Sequence, residues 1–270
     1  MTSPKLPDPQ RVIACLRETA AEDILPRFRS LKAGDVMEKG PDDPVTVADL
    51  ASEKRLTRML PALVPGSLVV AEEAVSRDPA LLDLLKGAEP VWLIDPIGGT
   101  KTFLRGEAGF GIYVSLLQGG RVLAGWIHDP VGGETSYAAV GEGAWEDGRR
   151  IAVTAGGALS EMCCYVHPNV YGYEEGETVQ TRQSAFRETV PIGSVGAAFR
   201  ALAAGRVHVG VFAAMWPWDH APGVLIHREA GGHAARRDGA PYSPIERFRG
   251  LLAAPDVETW LRVDDLLKRN

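Results

Sequence analysis

The sequence predicts a mixed α/β fold of the α+β kind, on three observations. Apolar residues recur at helical spacing in two early segments. Three β-runs separated by Gly-Gly pairs fill the middle of the chain. Short strands then alternate with helices to the end.

Asp8-Pro9 supplies a cap and a proline at the first helical position. Val12, Ile13, Leu16, Ile24, Leu25 and Phe28 follow at helical intervals, predicting a helix over 9–30. Residues 31–46 are polar and rich in Gly, Pro and Asp, which reads as a loop or a bent hairpin. Leu50, Leu56, Met59, Leu60 and Leu63 share a face, predicting a helix over 48–63. A strand over 67–71 runs into Glu72-Glu73, and Asp78-Pro79 caps a short helix reaching Lys86. The run Val91–Ile94 is a strand. Runs at 110–117, 121–128 and 134–140, parted by Gly119-Gly120 and Gly132-Gly133, form an antiparallel meander. Past Gly143 strands are expected near 151–153, 161–166 and 207–212, with helices near 194–205, 219–230 and 256–268. The change of pattern puts a boundary near residue 150. It divides one compact unit into an α+β half, 1–150, and an α/β half, 151–270.

With 270 residues, 45% of them hydrophobic, the chain can build a sizeable core. The formal net charge of −6 and the lack of a Lys/Arg run argue against nucleic acid as a partner. No apolar run reaches membrane-spanning length, and the N-terminal residues lack the apolar stretch of a secretory signal. Three cysteines, Cys15, Cys163 and Cys164, are too few for a disulfide framework and fit a reducing, cytoplasmic location.

Acidic residues stand at element ends. Asp49 lies at a helix start, Glu72 and Glu73 just past one strand, Asp95 just past another, and Asp219 opens a helix in Trp-Pro-Trp-Asp-His-Ala-Pro-Gly. Hard cations such as Mg²⁺ take oxygen ligands, usually a few carboxylates with waters and substrate phosphate. Each residue also has a plain structural reading: Asp49 and Asp219 as helix caps, Glu72-Glu73 as a solvated strand exit. Spacing alone leaves both readings open. The segment Asp95-Pro-Ile97-Gly98-Gly99-Thr100 adds a carboxylate and free backbone N–H groups at the mouth of a sheet, which suits a metal ion and a phosphate. Gly-Gly-Thr-Lys101-Thr is no Walker loop, because Thr100 stands where that loop needs glycine. His128, His220 and His227 read as structural, and Ser194 reads as a helix cap or a pocket residue.

Four segments in order resemble the signature of the inositol monophosphatase family of magnesium-dependent, lithium-sensitive phosphatases. They are Pro-Val-Thr-Val-Ala-Asp49, Ala-Glu72-Glu73, Asp95-Pro-Ile97-Gly98-Gly99-Thr100, and Trp218-Asp219-His-Ala-Pro-Gly with Glu229-Ala-Gly-Gly232. The resemblance implies a layered αβαβα sandwich, commonly homodimeric, that hydrolyses a small phosphorylated metabolite. It implies that Glu72, Asp95 and the Ile97 carbonyl hold an activating Mg²⁺, that Asp95 and Asp219 share a second one, and that Asp49 and Thr100 polarise the attacking water. The N–H groups of Gly99 and Thr100 would receive phosphate oxygens.

One position departs from the signature: Gly98 stands where the family has a second aspartate, a ligand of the second metal. That implies either reduced activity or a non-catalytic homologue that binds a phosphorylated ligand or a protein partner. Restoring Asp at 98 is expected to tighten Mg²⁺ binding. Phe212 occupies the position, seven residues before Asp219, where inositol-specific members carry a sugar-binding glutamate. Lys101-Thr-Phe103 after Gly-Thr resembles the histidinol-phosphate and nucleotide phosphatases of the superfamily, with sugar phosphates a further substrate class.

Overall fold

The computed structural model describes residues 6–168, 170 and 176–268. Helix α1, Pro9–Thr19, starts at Asp8, whose side chain accepts from the Gln10 N–H. It continues through a wider turn over Ala20–Ile24 rather than running to 30. There Arg27 donates to the Asp23 carbonyl, and Arg29, at φ 60°, turns the chain away. A hairpin of β1, Val36–Gly40, and β2, Asp43–Thr46, fills the predicted loop. Helix α2, Val47–Met59, tightens into a 3₁₀ turn over Leu60–Leu63, where Pro61 has no N–H to extend the α-helical ladder.

Strand β3, Leu68–Ala71, leads directly into α3, Glu72–Arg77, followed by a 3₁₀ turn over Pro79–Lys86. Strand β4 spans Val91–Gly98, four residues beyond the apolar run, and α4, Thr100–Leu104, follows. The meander is β5, Gly111–Gln118, β6, Arg121–His128, and β7, Thr135–Ala139. It does not stop there: β8, Gly143–Glu146, and β9, Arg149–Ile151, extend it. These strands form one seven-stranded sheet in sequence order, with β3 parallel to β4 and every later pair antiparallel.

The second sheet has five strands in the order β11-β10-β12-β14-β13. They are β10, Cys163–Val166, β11, Glu188–Thr189, β12, Val209–Ala214, β13, His233–Arg236, and β14, Arg249–Ala254. Its helices are α5, Gly176–Arg182, α6, Val195–Ala203, α7, Pro217–Glu229, and α8, Val257–Lys268. Helix α5 and strands β11, β13 and β14 escape the sequence reading. His-Ala-Ala-Arg and Arg-Gly-Leu-Leu-Ala-Ala have no β-branched residues and no alternation to mark them.

The layers follow from which faces are apolar. Val12, Leu16, Leu56 and Leu60 of the first helices cover Trp92, Ile94, Ile112 and Trp126 on one face of the large sheet. On the other face, Phe199 and Leu202 of α6 and Val224 and Ile226 of α7 pack between the two sheets. Trp260 and Val263 of α8 cover the far face of the five-stranded sheet, over Val209, Val211 and Leu252. The order is helices, sheet, helices, sheet, helices: the expected αβαβα sandwich. Burying each such aliphatic or aromatic side chain contributes roughly 1.5–3 kcal/mol.

Two glycines let α7 lie close. A Cβ on Gly125 would come within 2.7 Å of the Pro222 Cα, and one on Gly223 within 2.3 Å of the Phe199 ring. The Ala-Pro-Gly of the Asp219 segment therefore seats α7 between β6 and α6. Its Glu229 accepts from the N–H groups of Gly141 and Gly143, both at 2.9 Å, tying the helix end to the β7–β8 turn.

Candidate active site

The chain ends of β3 and β4 and the first turn of α7 meet at a cavity of about 840 Å³. Glu72, Asp95, Ile97, Gly98, Gly99, Thr100, Ser194 and Asp219 all line it. Local structure aims each of them. Glu72 opens α3 at the exit of β3, Asp95 sits at an irregularity in the β4–β5 pairing, and Asp219 is in the first turn of α7. Gly99 turns the chain at φ 92°, and a Cβ there would approach the Ser194 Cβ to 2.7 Å, so glycine is required by both conformation and space.

Asp49 and Phe212 sit elsewhere. Asp49 stands behind the cavity wall. Its Oδ2 accepts from the Thr46 N–H at 2.8 Å and hydroxyl at 2.5 Å, completing a capping box at the start of α2. It faces the cavity only through the Thr100 hydroxyl, which is 3.4 Å from its Oδ1 and 3.0 Å from the Ile97 carbonyl. Asp49 is thus not the helix cap, which is Thr46, but is part of the cap. Phe212 is not in the cavity. It is 1% exposed, stacked on Phe199 at 4.8 Å, because its side of β12 faces α6 and α7. The substrate-binding role expected of it is not available to a ring in the core. Ser194 combines both expected roles: it caps α6 by accepting from the Ala197 N–H and lines the cavity. Lys101 pairs with Asp42 at the surface.

The electrostatics are unbalanced. Burial, aided by the charges of Glu72 and Asp219, pushes the Asp95 carboxyl well above the usual range. Burial also lifts Glu72 to about 8, with Lys39 opposing and Asp219 and Glu73 adding to it, and lifts Asp219 to about 6. Asp95 is 1% exposed, and among the described residues neither of its oxygens has a donor from Lys, Arg or the backbone: its close partner is the Asp219 carboxyl, so that one shared proton holds the two acids together. Buried acceptors of this kind call for a cation or a proton.

Three residues here escape the sequence reading. Lys39, carried in by the β1–β2 hairpin, donates to Glu72 at 2.8 Å and to Glu73 at 2.9 Å. Although burial opposes its charge, those two carboxylates hold its proton more tightly than usual. Its only signal was a lone lysine among Glu38, Asp42 and Asp43. Glu53, on α2, accepts from the Glu73 N–H at 2.7 Å, and burial lifts its carboxyl to about 7. Tyr113, on β5, pairs across the ladder with Asp95, and its ring fills the space next to Gly98. An ideal Cβ on residue 98 would lie 1.8 Å from that ring. Aspartate at 98 on this backbone therefore meets the Tyr113 ring, which corrects the expectation that the substitution alone adds a ligand. Backbone strain is not the obstacle, since Gly98 lies outside the left-handed region.

Among the described residues, no three His, Cys, Asp or Glu side chains stand close enough to hold a metal ion by themselves. An ion held through one or two carboxylates, a backbone carbonyl, water and phosphate needs no such cage. The buried oxygens of Asp95, with Glu72 and the Ile97 carbonyl on the same cavity, fit that donor set. No described helix is long and apolar enough to cross a membrane.

Comparison with known proteins gives the family and the fold. A fructose-1,6-bisphosphatase/inositol-1-monophosphatase of Thermotoga maritima is 31% identical over 190 residues, 70% of each protein. The 3'(2'),5'-bisphosphate nucleotidase CysQ of Salmonella typhimurium is 28% identical over 238 residues, 86% of this chain and 93% of that one. The crystal structure of the extragenic suppressor protein suhB from Bartonella henselae superposes with a TM-score of 0.84 over 97% of this chain and 98% of its own, at 23% identity, which speaks for the fold. The sequence profile of the inositol monophosphatase family matches residues 8–266, a range that holds all four acidic segments and both sheets. The chain belongs to the inositol monophosphatase family.

Proposed function

We propose that this cleft hydrolyses a small phosphate monoester with the help of Mg²⁺. The observation that carries the reading is the Asp95 carboxylate: buried, without a Lys, Arg or backbone donor among the described residues, and facing Glu72 and Asp219 on the same cavity as Gly99 and Thr100. Phosphatase names among the relatives support the same reaction class.

In this reading Glu72, Asp95 and the Ile97 carbonyl hold the cation, and Asp95 and Asp219 flank a second position. The bound ion supplies charge for the transferring phosphoryl group and lowers the pKa of water. Gly99 and Thr100 present backbone N–H groups to the phosphate oxygens. Thr100 would accept a hydrogen bond from the attacking water and pass its own hydroxyl hydrogen to Asp49 as the water gives up its proton, so that the proton ends on Asp49, whose other oxygen is fixed by Thr46. Glu72, whose carboxyl burial raises to about 8, would hold the cation in its deprotonated form, so metal binding would be accompanied by proton release.

The organic part of the substrate lies toward Trp216 and Arg247. These two residues also line an adjoining cavity of about 820 Å³. Trp216 is 44% exposed, stacks on Trp218 at 5.1 Å, and carries the Arg247 guanidinium 5.4 Å from its ring centroid. An exposed indole beside a cation suits a planar, electron-rich group. A nucleotide or histidinol phosphate is favoured over an inositol phosphate, for which the buried Phe212 offers no hydroxyl partner. The alternative, a non-catalytic phosphate-binding homologue, is favoured by one observation: the Tyr113 ring beside Gly98. Phosphate release from a panel of nucleotide, imidazole, sugar and inositol monoesters, with and without Mg²⁺, decides. Turnover that requires Mg²⁺ supports hydrolysis. Ligand binding without release from any monoester supports the alternative.

A further inference from the structure

Gly98 is one wall of a slot cut for Tyr113. Cβ atoms built on Gly98, Gly111 and Gly196 would approach that ring to 1.8, 3.0 and 2.2 Å. Three glycines on two strands and a helix therefore leave room for one phenol. The ring is 1% exposed. Its hydroxyl donates to the Gly98 carbonyl at 3.0 Å or to Ser194 Oγ at 2.7 Å, so the tip is tied as well as the faces. Because Tyr113 is directly opposite Asp95 in the antiparallel ladder, both side chains leave the same face of the sheet.

We propose that Tyr113 is the substitute for the carboxylate that Gly98 lacks, and that it limits the cleft to one tightly held divalent cation in the absence of phosphate. The inference rests on the metal reading given above. A phenol in the residue-98 slot is neutral where a third carboxylate would be charged. Asp95 and Asp219 are left to face the second position with no further anionic side chain from residue 98. The exchange is also a packed pair: the ring needs glycine at 98, and aspartate at 98 needs the ring gone. Glycine at 98 and tyrosine at 113 are therefore one packed unit in this site.

The test is a count of Mg²⁺ by calorimetry and of Mn²⁺ by electron paramagnetic resonance. It uses the full chain and its Gly98→Asp, Tyr113→Ala and Gly98→Asp/Tyr113→Ala variants, each with its melting temperature. The wild type should bind one ion. Gly98→Asp alone should melt lower and gain no ion. The double variant should melt above Gly98→Asp and take up a second ion at least about tenfold more tightly than the wild type, the scale on which metal-site partners act. Two tightly bound ions in the wild type would overturn the inference and leave the phosphatase reading standing. No bound ion in the wild type would overturn both. Gly98→Asp gaining a second ion at an unchanged melting temperature would show that the ring simply moves, and would overturn the inference whatever the other variants do.

Discussion

Two clusters of carboxylates lie between the sheets, and they are built to opposite ends. Around Arg200 of α6, Asp129, Glu134 and Glu146 stand at 3.1, 2.6 and 2.9 Å from the guanidinium. Burial works to raise the Glu146 carboxyl, but Arg200 and the Ser136 hydroxyl outweigh it and hold it below its usual range. In the cleft, Lys39 meets Glu72 and Glu73 while Asp95 and Asp219 have no cation of their own, and burial wins. A planar fork of five donors satisfies several acceptors at once, whereas an ammonium offers three. The first cluster is closed. In the second, Asp95 and Asp219 are left without a cationic partner among the described residues, the arrangement that the proposed cation site needs.

The comparison breaks most visibly at Asp95. Asp95→Asn removes the shared charge, and metal-dependent phosphate release should fall at least about a hundredfold, since a catalytic ion supplies several kcal/mol to the transition state. The same variant should not lower the melting temperature without metal, because burial already keeps the metal-free Asp95 carboxyl in its protonated, neutral form, whose shape asparagine matches. Wild-type turnover under saturating Mg²⁺ would remove Asp95 from the mechanism.

Arg200→Ala should do the reverse. It removes the main partner of Asp129 and Glu146, whose side chains are 21% and 15% exposed, while Glu134, at 54%, stays solvated. Breaking a fully buried pair on one side costs about 3–5 kcal/mol, and these partly exposed partners reduce that to about 1–3 kcal/mol, read as a lower midpoint in urea unfolding. A loss below about 1 kcal/mol would mean that the cluster is solvated like a surface pair. In the outer core, Leu56→Ala should cost about 2–5 kcal/mol by opening a cavity under Trp92 and Trp126, with the cleft untouched.

The smallest effect is in pH. Above about pH 6.5 the native protein keeps protons on Glu72, to about 8, and on Glu53, to about 7, which an unfolded glutamate has lost near 4.5. The native state then binds more protons than the unfolded one, so stability should fall as pH rises from 6.5 to 8, by up to roughly 1.4 kcal/mol per unit for each proton. Below 6.5 buried His128, His167 and His227, all lowered to about 4, act oppositely: the unfolded chain takes protons that they refuse. The two sets offset in mild acid. Thermal melts across pH 5–8 should show the decline on the alkaline side, and saturating Mg²⁺ should flatten it by replacing protons in the cleft. A metal-free protein that grows more stable from pH 6.5 to 8 would contradict the raised carboxyls.

Much of this was legible from residue order. The meander showed because Gly119 and Gly120, at φ 56° and 74°, make the tight turn that their pairing announced. The acidic segments showed because each sits at an element end, where local signals are strongest. What failed needed register or distance. Tyr113 is fifteen residues beyond Gly98, and nothing local says that it faces Asp95 across β4–β5. Lys39 reaches the cleft from a hairpin, and Glu53 reaches the Glu73 N–H beside it from a helix flank, with orientations that depend on packing. Counting back from Asp219 gave Phe212 a pocket position, but strand alternation turns it into the core.

The central claim is that, among the described residues, Asp95 and Asp219 have no cationic side chain paired with them and that a divalent cation fills that need through Asp95. Melting the wild type and Asp95→Asn against rising Mg²⁺, with Ca²⁺ and NaCl as controls, tests this most directly. At a hundred times the dissociation constant, Mg²⁺ should add about 2.7 kcal/mol to the wild type, and the shift should vanish in Asp95→Asn. Equal shifts in the two proteins, or none in the wild type at millimolar Mg²⁺, would contradict it.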